Sequence, residues 1–243
     1  MKMRKTLFTF GVVLLVVFLF GCNSNGEGNG EKGNGDVISQ ERTANNFNAV
    51  ILDGVGNVNV HHSENYKVVV TTDSNNQDII TIEVNGNNLH IDQKKTNGFK
   101  ATKLEIDVYL PELKSISLNG VGNFEINNGN ASELDISLSG AGKIDAQNIQ
   151  SQNATIRHSG VGDVKINGNA SELDISFPGA GNIDAQNFQV QNATISHSGV
   201  GDAKIWATNT LNGSFSGAGN ILYKGNPTIN VNRTSIVGNI KPL

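Results

Sequence analysis

A glycine pair, Gly-x-Gly, returns along most of this 243-residue chain: Gly54-Val55-Gly56, Gly120-Val121-Gly122, Gly140-Ala141-Gly142, Gly160-Val161-Gly162, Gly179-Ala180-Gly181, Gly199-Val200-Gly201 and Gly217-Ala218-Gly219. From the second copy onward the first glycines are 20, 20, 19, 20 and 18 residues apart. A period of that length implies stacked structural units that bury a core only together. Asn130–Gly168 and Asn169–Ala207 share 30 of 39 aligned positions. Each contains two glycine pairs, so a coil is either 39 or about 20 residues long.

Parity gives the local structure. Ile116, Leu118, Gly120, Gly122, Phe124 and Ile126 alternate with polar residues, and Leu134 to Ala146 and Leu173 to Ala185 repeat the pattern. Strict alternation is the mark of a strand with one buried face. The glycines share the inward parity, where a missing side chain lets the backbone bend or approach a neighbour closely.

Charge decides the coil length. Asp145, Lys165, Asp184 and Lys204 each stand five positions after a first glycine, on the outward parity. In a parallel stack, equivalent residues are neighbours about 4.8 Å apart. Coils of about 20 residues alternate the signs, whereas 39-residue coils put Asp on Asp and Lys on Lys, which destabilises. The expected fold is all-β, a single-chain parallel β-helix with coils of about 20 residues. Tyr66–Thr72, Ile79–Val84, Leu89–Asp92 and Leu104–Leu110 read as strands without the tidy period. Together with the 66 residues from Gly54 to Gly120, they read as an irregular N-terminal β portion of about three coils, or as a small separate β domain.

The ends fix the address. Lys2, Arg4 and Lys5 precede an apolar run from Leu7 to Phe20. This is the layout of an export signal and is too short for a membrane-spanning helix. It ends at Cys22, the single cysteine, in a phrase that resembles the lipobox of bacterial lipoproteins. That resemblance implies cleavage after residue 21 and lipidation of Cys22, so that the membrane is a partner through the N-terminal lipid. Asn23 rather than Asp after the cysteine favours the outer membrane. Residues 22–43 then form a Gly/Asn-rich tether, whose Asn23–Asp36 stretch has a root-mean-square span of about 20 Å, and residues 44–243 form the β-helix. Loss of residues 1–21 removes three of 18 basic residues and none of the 22 acids, leaving a charge of −7. With no basic stripe, nucleic acid is not an expected partner.

The opening phrase Phe47-Asn48-Ala49-Val50 leads to Gly54-Val55-Gly56-Asn57-Val58. The middle phrase runs Ile106-Asp107-Val108-Tyr109-Leu110-Pro111-Glu112-Leu113. With the serial Gly-x-Gly turns, these resemble the auto-transporter adhesin "head GIN" domain family of the bacterial envelope. The resemblance implies a β-helix behind an export or lipoprotein signal and supplies no catalytic residues.

Four groups of residues invite chemistry. His158 and His197 share the inward parity, but coils of about 20 residues set them about 9.6 Å apart with Phe177 between, too far to share a metal ion. His61 and His62 are adjacent in a strand and face opposite sides. The glycine turns lack the third glycine and helix of a dinucleotide fingerprint and the period of nine of a calcium β-roll. No cofactor or metal is expected. The Asp/Lys column reads as an ion-pair ladder, or as the acids of a polysaccharide lyase or hydrolase. One outward feature remains: Val121, Ala141, Val161, Ala180, Val200 and Ala218 should align as an apolar stripe with a polar rim, either a docking surface or a corner buried by its own bend. The leading expectation is an envelope binding or adhesion module whose partner is a glycan or an envelope protein. A carbohydrate-active enzyme and a structural envelope protein without a ligand are the alternatives.

Overall fold

The computed structural model describes residues 31–94, 99–235 and 237–243. The chain is nearly all strand and winds as a parallel β-solenoid. Two stacked faces meet at the Gly-x-Gly corner. Before the corner, Ala49–Leu52, Ser115–Leu118 and Asn130–Leu138 lie side by side in parallel. After it, Val55–His62, Val121–Asn127 and the start of Ala141–His158 do the same. Register shifts between Ala146 and Ile149, and between Lys165 and Asn167, mark a second bend in each coil.

Asp145 lies beside Lys165, Lys165 beside Asp184, and Asp184 beside Lys204. One corner per coil is therefore correct, and the 39-residue similarity is a two-coil duplication. Inward residues form continuous columns. Val50, Ile116, Ile136, Ile156, Ile175 and Ile195 stack in register and are fully buried. Each such side chain contributes roughly 1.5–3 kcal/mol on burial, which is how a described fold without a disulfide is held.

From Gly120 to Gly219 the corners need both glycines. A Cβ on Gly142 would fall on the carbonyl oxygen of Gly122, and one on Gly140 would fall on that of Gly120. Gly142 also has φ of 144°, a region that other residues rarely adopt. The same contact recurs up to Gly238, which stands over Gly219.

The N-terminal portion corrects two expectations. The 66-residue gap is not about three successive coils. Val121 stacks directly on Val55, so one rung separates them. The residues between leave the stack and return to its base, where Asn88–Gln93 pairs with Ala49–Leu52 and Leu104–Leu110 with Val55–His62. Ile80–Asn85 and Lys67–Asp73 then add antiparallel strands beneath them. This portion belongs to the same sheet as the solenoid. Within the segment expected to be tether, Val37–Arg42 is a strand, antiparallel to Lys67–Asp73. Its alternating Val37, Ser39 and Glu41 gave too weak an apolar pattern to mark it; side-chain bonds hold it instead. Buried Gln77 donates to the carbonyls of Ile38 (3.0 Å) and Val70 (3.2 Å). The enclosed Asp73 carboxylate accepts the amides of Gly35 (2.8 Å) and Thr102 (2.7 Å). Burial opposes its charge, yet these donors hold its carboxyl below the usual value.

Gly162→Ala should destabilise the fold by about 3 kcal/mol or more, because it adds a backbone clash to a disfavoured φ. Val161→Ala, on the exposed side of the same corner, should stay within about 0.5 kcal/mol. Thermal unfolding of the two variants checks the contrast; equal midpoints would refute the corner as the fixed point of the coil.

Candidate functional site

The outward residues of the corner form the row expected from sequence. Between its two glycines, each coil pushes one side chain into solvent. Val121, Val161 and Val200 are 54%, 62% and 61% exposed. Ala141, Ala180 and Ala218 are half-buried in the gaps between them. The bend therefore does not bury the valines. The row is longer than the sequence indicated, because Val55 and Val237 continue it at 49% and 60% exposure. Val55 was hidden by the misread gap. Val237 was hidden because its corner keeps only one of the two glycines, Gly238.

Two columns of outward side chains run beside the row on the face after the corner. The nearer contains Asn57, Asn123, Lys143, Asp163, Asn182, Asp202, Asn220 and Asn239. Most of its members bond to the next coil. Asn123 Oδ1 accepts the Lys143 amide (3.2 Å), and Asp163 Oδ1 accepts the amide and Nδ2 of Asn182 (both 3.0 Å). Asn182 Oδ1 accepts the Asp202 amide (3.1 Å), and Asp202 Oδ1 accepts the amide (2.8 Å) and Nδ2 (2.9 Å) of Asn220. This ladder explains why the corner motif continues with Asn or Asp. Their recurrence at the coil period is the signal in the sequence that marks them.

The second column contains Asp145, Lys165, Asp184 and Lys204. Lys165 Nζ lies 3.5 Å from Asp145 Oδ2, and Lys204 Nζ lies 3.9 Å from Asp184 Oδ2. All four are partly exposed, so each pair contributes little stability. Gln147 donates to Asp145, and Gln186 donates to Asp184 at 3.1 Å. The two columns wall a shallow groove of about 460 Å³ floored by Ile144, Val164 and Ile183. Asp145 and Asp184 stand two coils apart with Lys165 between them. This is a charge ladder, and its carboxylates are committed to their own cations and amides.

The histidines are buried, as their parity indicated. His158, Phe177, His197 and Phe215 stack at successive centroid distances of 4.9, 4.5 and 5.0 Å. Nε2 of His158 donates to the Gly162 carbonyl (2.6 Å) and Nε2 of His197 to the Gly201 carbonyl (2.8 Å). Each imidazole thus closes its own corner. A carbonyl only accepts, so Nε2 carries a proton, and Nδ1 of each ring is buried without a partner. His61, the last but one residue of the strand Val55–His62, stacks on Tyr109 and faces Asp107 Oδ1 at 3.3 Å. Among the described residues, no three His, Cys, Asp or Glu side chains are grouped to hold a metal ion. Cys22 lies outside the described residues.

The chain matches, over residues 46–227, the family described as "Putative auto-transporter adhesin, head GIN domain". It belongs to that family. Among solved structures it is similar to a protein from Bacteroides fragilis described as a "putative adhesin". The two share 30% identity and a TM-score of 0.85, over 88% of this chain and 100% of the other. A Parabacteroides merdae protein with the same description shares 27% identity, with a TM-score of 0.62, over 88% and 98% of the two chains. One from Parabacteroides distasonis, at 23% identity and a TM-score of 0.71 over 87% and 99%, shares the fold. A comparison with curated proteins finds no match.

Burial pushes the His197 imidazole below its ordinary value of 6.5, against the pull of the Gly201 carbonyl, the Phe177 backbone and Asp202. Below about pH 6.5 the unfolded chain takes up a proton that the folded chain resists. Stability should therefore be full above that pH and fall as pH drops towards the depressed folded value. His197→Phe, matching Phe177 and Phe215 in the same column, should flatten this slope between pH 7.5 and 5.5. Denaturant unfolding at the two pH values measures it; parallel losses in both proteins would refute the assignment.

Proposed function

We propose that this protein is a lipid-anchored binding module of the bacterial envelope, held through Cys22 and presenting its solenoid to a macromolecular partner. The valine row carries the proposal. Five exposed valines along one edge form an apolar feature unlike the scattered single residues of an ordinary surface. The polar columns beside it are largely occupied with each other. Aliphatic side chains gain most by burial against another apolar surface, which favours an envelope protein over a glycan as the partner. The adhesin descriptions of the family and of the Bacteroides fragilis relative support a binding role at a surface address. The lipobox-like phrase supports the anchor, and the strand Val37–Arg42, which brings the start of the described fold to the base of the stack, supports a base turned towards the membrane.

Metabolic labelling with palmitate should mark the wild-type chain. Cys22→Ser should lose the label and move to the soluble fraction; label retained by that variant would overturn the anchor. Val161→Asp with Val200→Asp should reduce capture of the folded domain on envelope material by at least about ten-fold at unchanged thermal stability. Undiminished capture would overturn the row as the contact surface.

A further inference from the structure

The valine row has a period of its own. From Val121 upward it reads Val121, Ala141, Val161, Ala180, Val200, Ala218, with Val237 next. Adjacent coils lie about 4.8 Å apart, so the valines project every 9.6 Å or so with an alanine gap between them. A surface of evenly spaced knobs and gaps fits a copy of itself shifted by one coil.

We propose that the partner of this row is a second copy of the chain, docked edge to edge and antiparallel. The inference rests on reading the row as a contact surface, and it names the occupant. A two-fold axis crossing the row between Val161 and Ala180 sets Val161 opposite the partner copy's Ala180. It sets Val200 opposite Ala141 and Val121 opposite Ala218, each pair occurring twice. The interface is isologous and closes on itself.

Charge selects this arrangement. The axis lies across the row, so the column beside the row faces the same column of the other copy. Lys143 then meets Asp202, and Asp163 meets Asn182. Lys143 is exposed and makes no ion pair with another described residue. Asp202 uses only Oδ1 for the Asn220 amides, which leaves Oδ2 to receive it. The outer column follows the same rule, with Asp145 opposite Lys204 and Lys165 opposite Asp184. On the other flank stand Asn119, Ser139, Ser159, Pro178, Ser198 and Ser216, so no like charges meet there. A parallel two-fold pairing would instead set Val on Val and face the charged column with the serines.

Six coils at about 4.8 Å give a contact near 30 Å long. It must be about 25 Å wide, taking in both flanks, to reach the roughly 800 Å² per partner of an ordinary interface. Modest affinity, on the order of 10–100 µM, is expected at that size. The arrangement also has a direction. The start of the described fold lies at the base of the stack, so an antiparallel pair holds its two bases at opposite ends. Copies anchored in two facing membranes meet that geometry.

The test uses the Cys22→Ser chain in solution. Sedimentation should show a monomer–dimer equilibrium that Val161→Asp with Val200→Asp abolishes at unchanged melting temperature. Lys143→Glu should weaken dimerisation at least ten-fold, and an equimolar mixture of Lys143→Glu and Asp202→Lys chains should restore it to within about three-fold. In the same background, Val161→Cys mixed with Ala180→Cys should form an intermolecular disulfide at least five-fold faster than either variant alone. A chain that stays monomeric to about 1 mM, or Val161→Cys cross-linking alone as fast as the mixture, overturns the proposal. Wild-type lipidated protein in phosphatidylcholine vesicles should cluster them. Dimerisation without clustering would uphold the pairing and overturn the anchor reading instead.

Discussion

Everything outside the core follows from one backbone contact, that of the corner glycines from Gly120 upward with the carbonyl oxygen of the coil beneath. The two backbones approach so closely that no Cβ fits. Hydrogen bonds of 2.9 Å from Ala141 to Gly120 and from Val161 to Gly140 hold them there. With the corners locked in register, the strands leaving them have no freedom to slip. A slip of one residue would turn Ile144 and Val164 outward and Asp145 and Lys165 into the core. The corner thus acts as a registration mark, and the hydrophobic columns follow it.

A registered stack turns every outward position into a column, and the history of the chain sets the column's period. The duplicated unit is two coils long, so columns that vary within the unit alternate along the stack. The Val/Ala row and the Asp/Lys column alternate with the same phase. The Asp/Lys alternation satisfies neighbours within the chain, since Asp beside Lys avoids the like-charge contacts of a uniform column. Along its length only Glu125 beside Asp145 breaks the rule. In the antiparallel pairing centred between Val161 and Ala180, the same alternation that sets each valine on an alanine also sets Asp145 and Lys165 against opposite charges. Apolar fit and charge fit are therefore satisfied together in it.

Much of this was legible in the sequence because a solenoid repeats its signal. Parity placed Ile136, Leu138 and His158 inside, and the order Asp145, Lys165, Asp184, Lys204 chose between two coil lengths. What was not legible arises where a contact is not periodic or not local. The excursion between Gly54 and Gly120 has strands of ordinary pattern, and nothing in them says that Leu89 will lie below Val50. That placement depends on closing the base of the stack, a property of the assembled fold. The bonds of Asp73 to Gly35 and Thr102 join segments that share no motif. The Asn/Asp ladder was periodic and could have been found. It was obscured because Asn and Asp are also the ordinary residues of turns, and its columnar role appears only once the coils are stacked.

The closed base determines which surface remains free for function. An open parallel sheet end exposes unpaired amides and carbonyls and invites pairing with other chains. Here Ile80–Asn85 and Val37–Arg42 cover that end with antiparallel strands, and Gln77 and Asp73 tie them down with buried bonds. A base so covered is a poor site for strand addition and a suitable point of departure for a tether. The long edge is different in kind. Its backbone is already paired coil to coil, so it offers side chains rather than hydrogen-bonding edges, and it offers them at a fixed spacing over the length of the stack. A partner of that edge has to match a 9.6 Å period to use it fully. A globular protein of another fold has no reason to carry that period, whereas a second solenoid of the same chain carries it by construction.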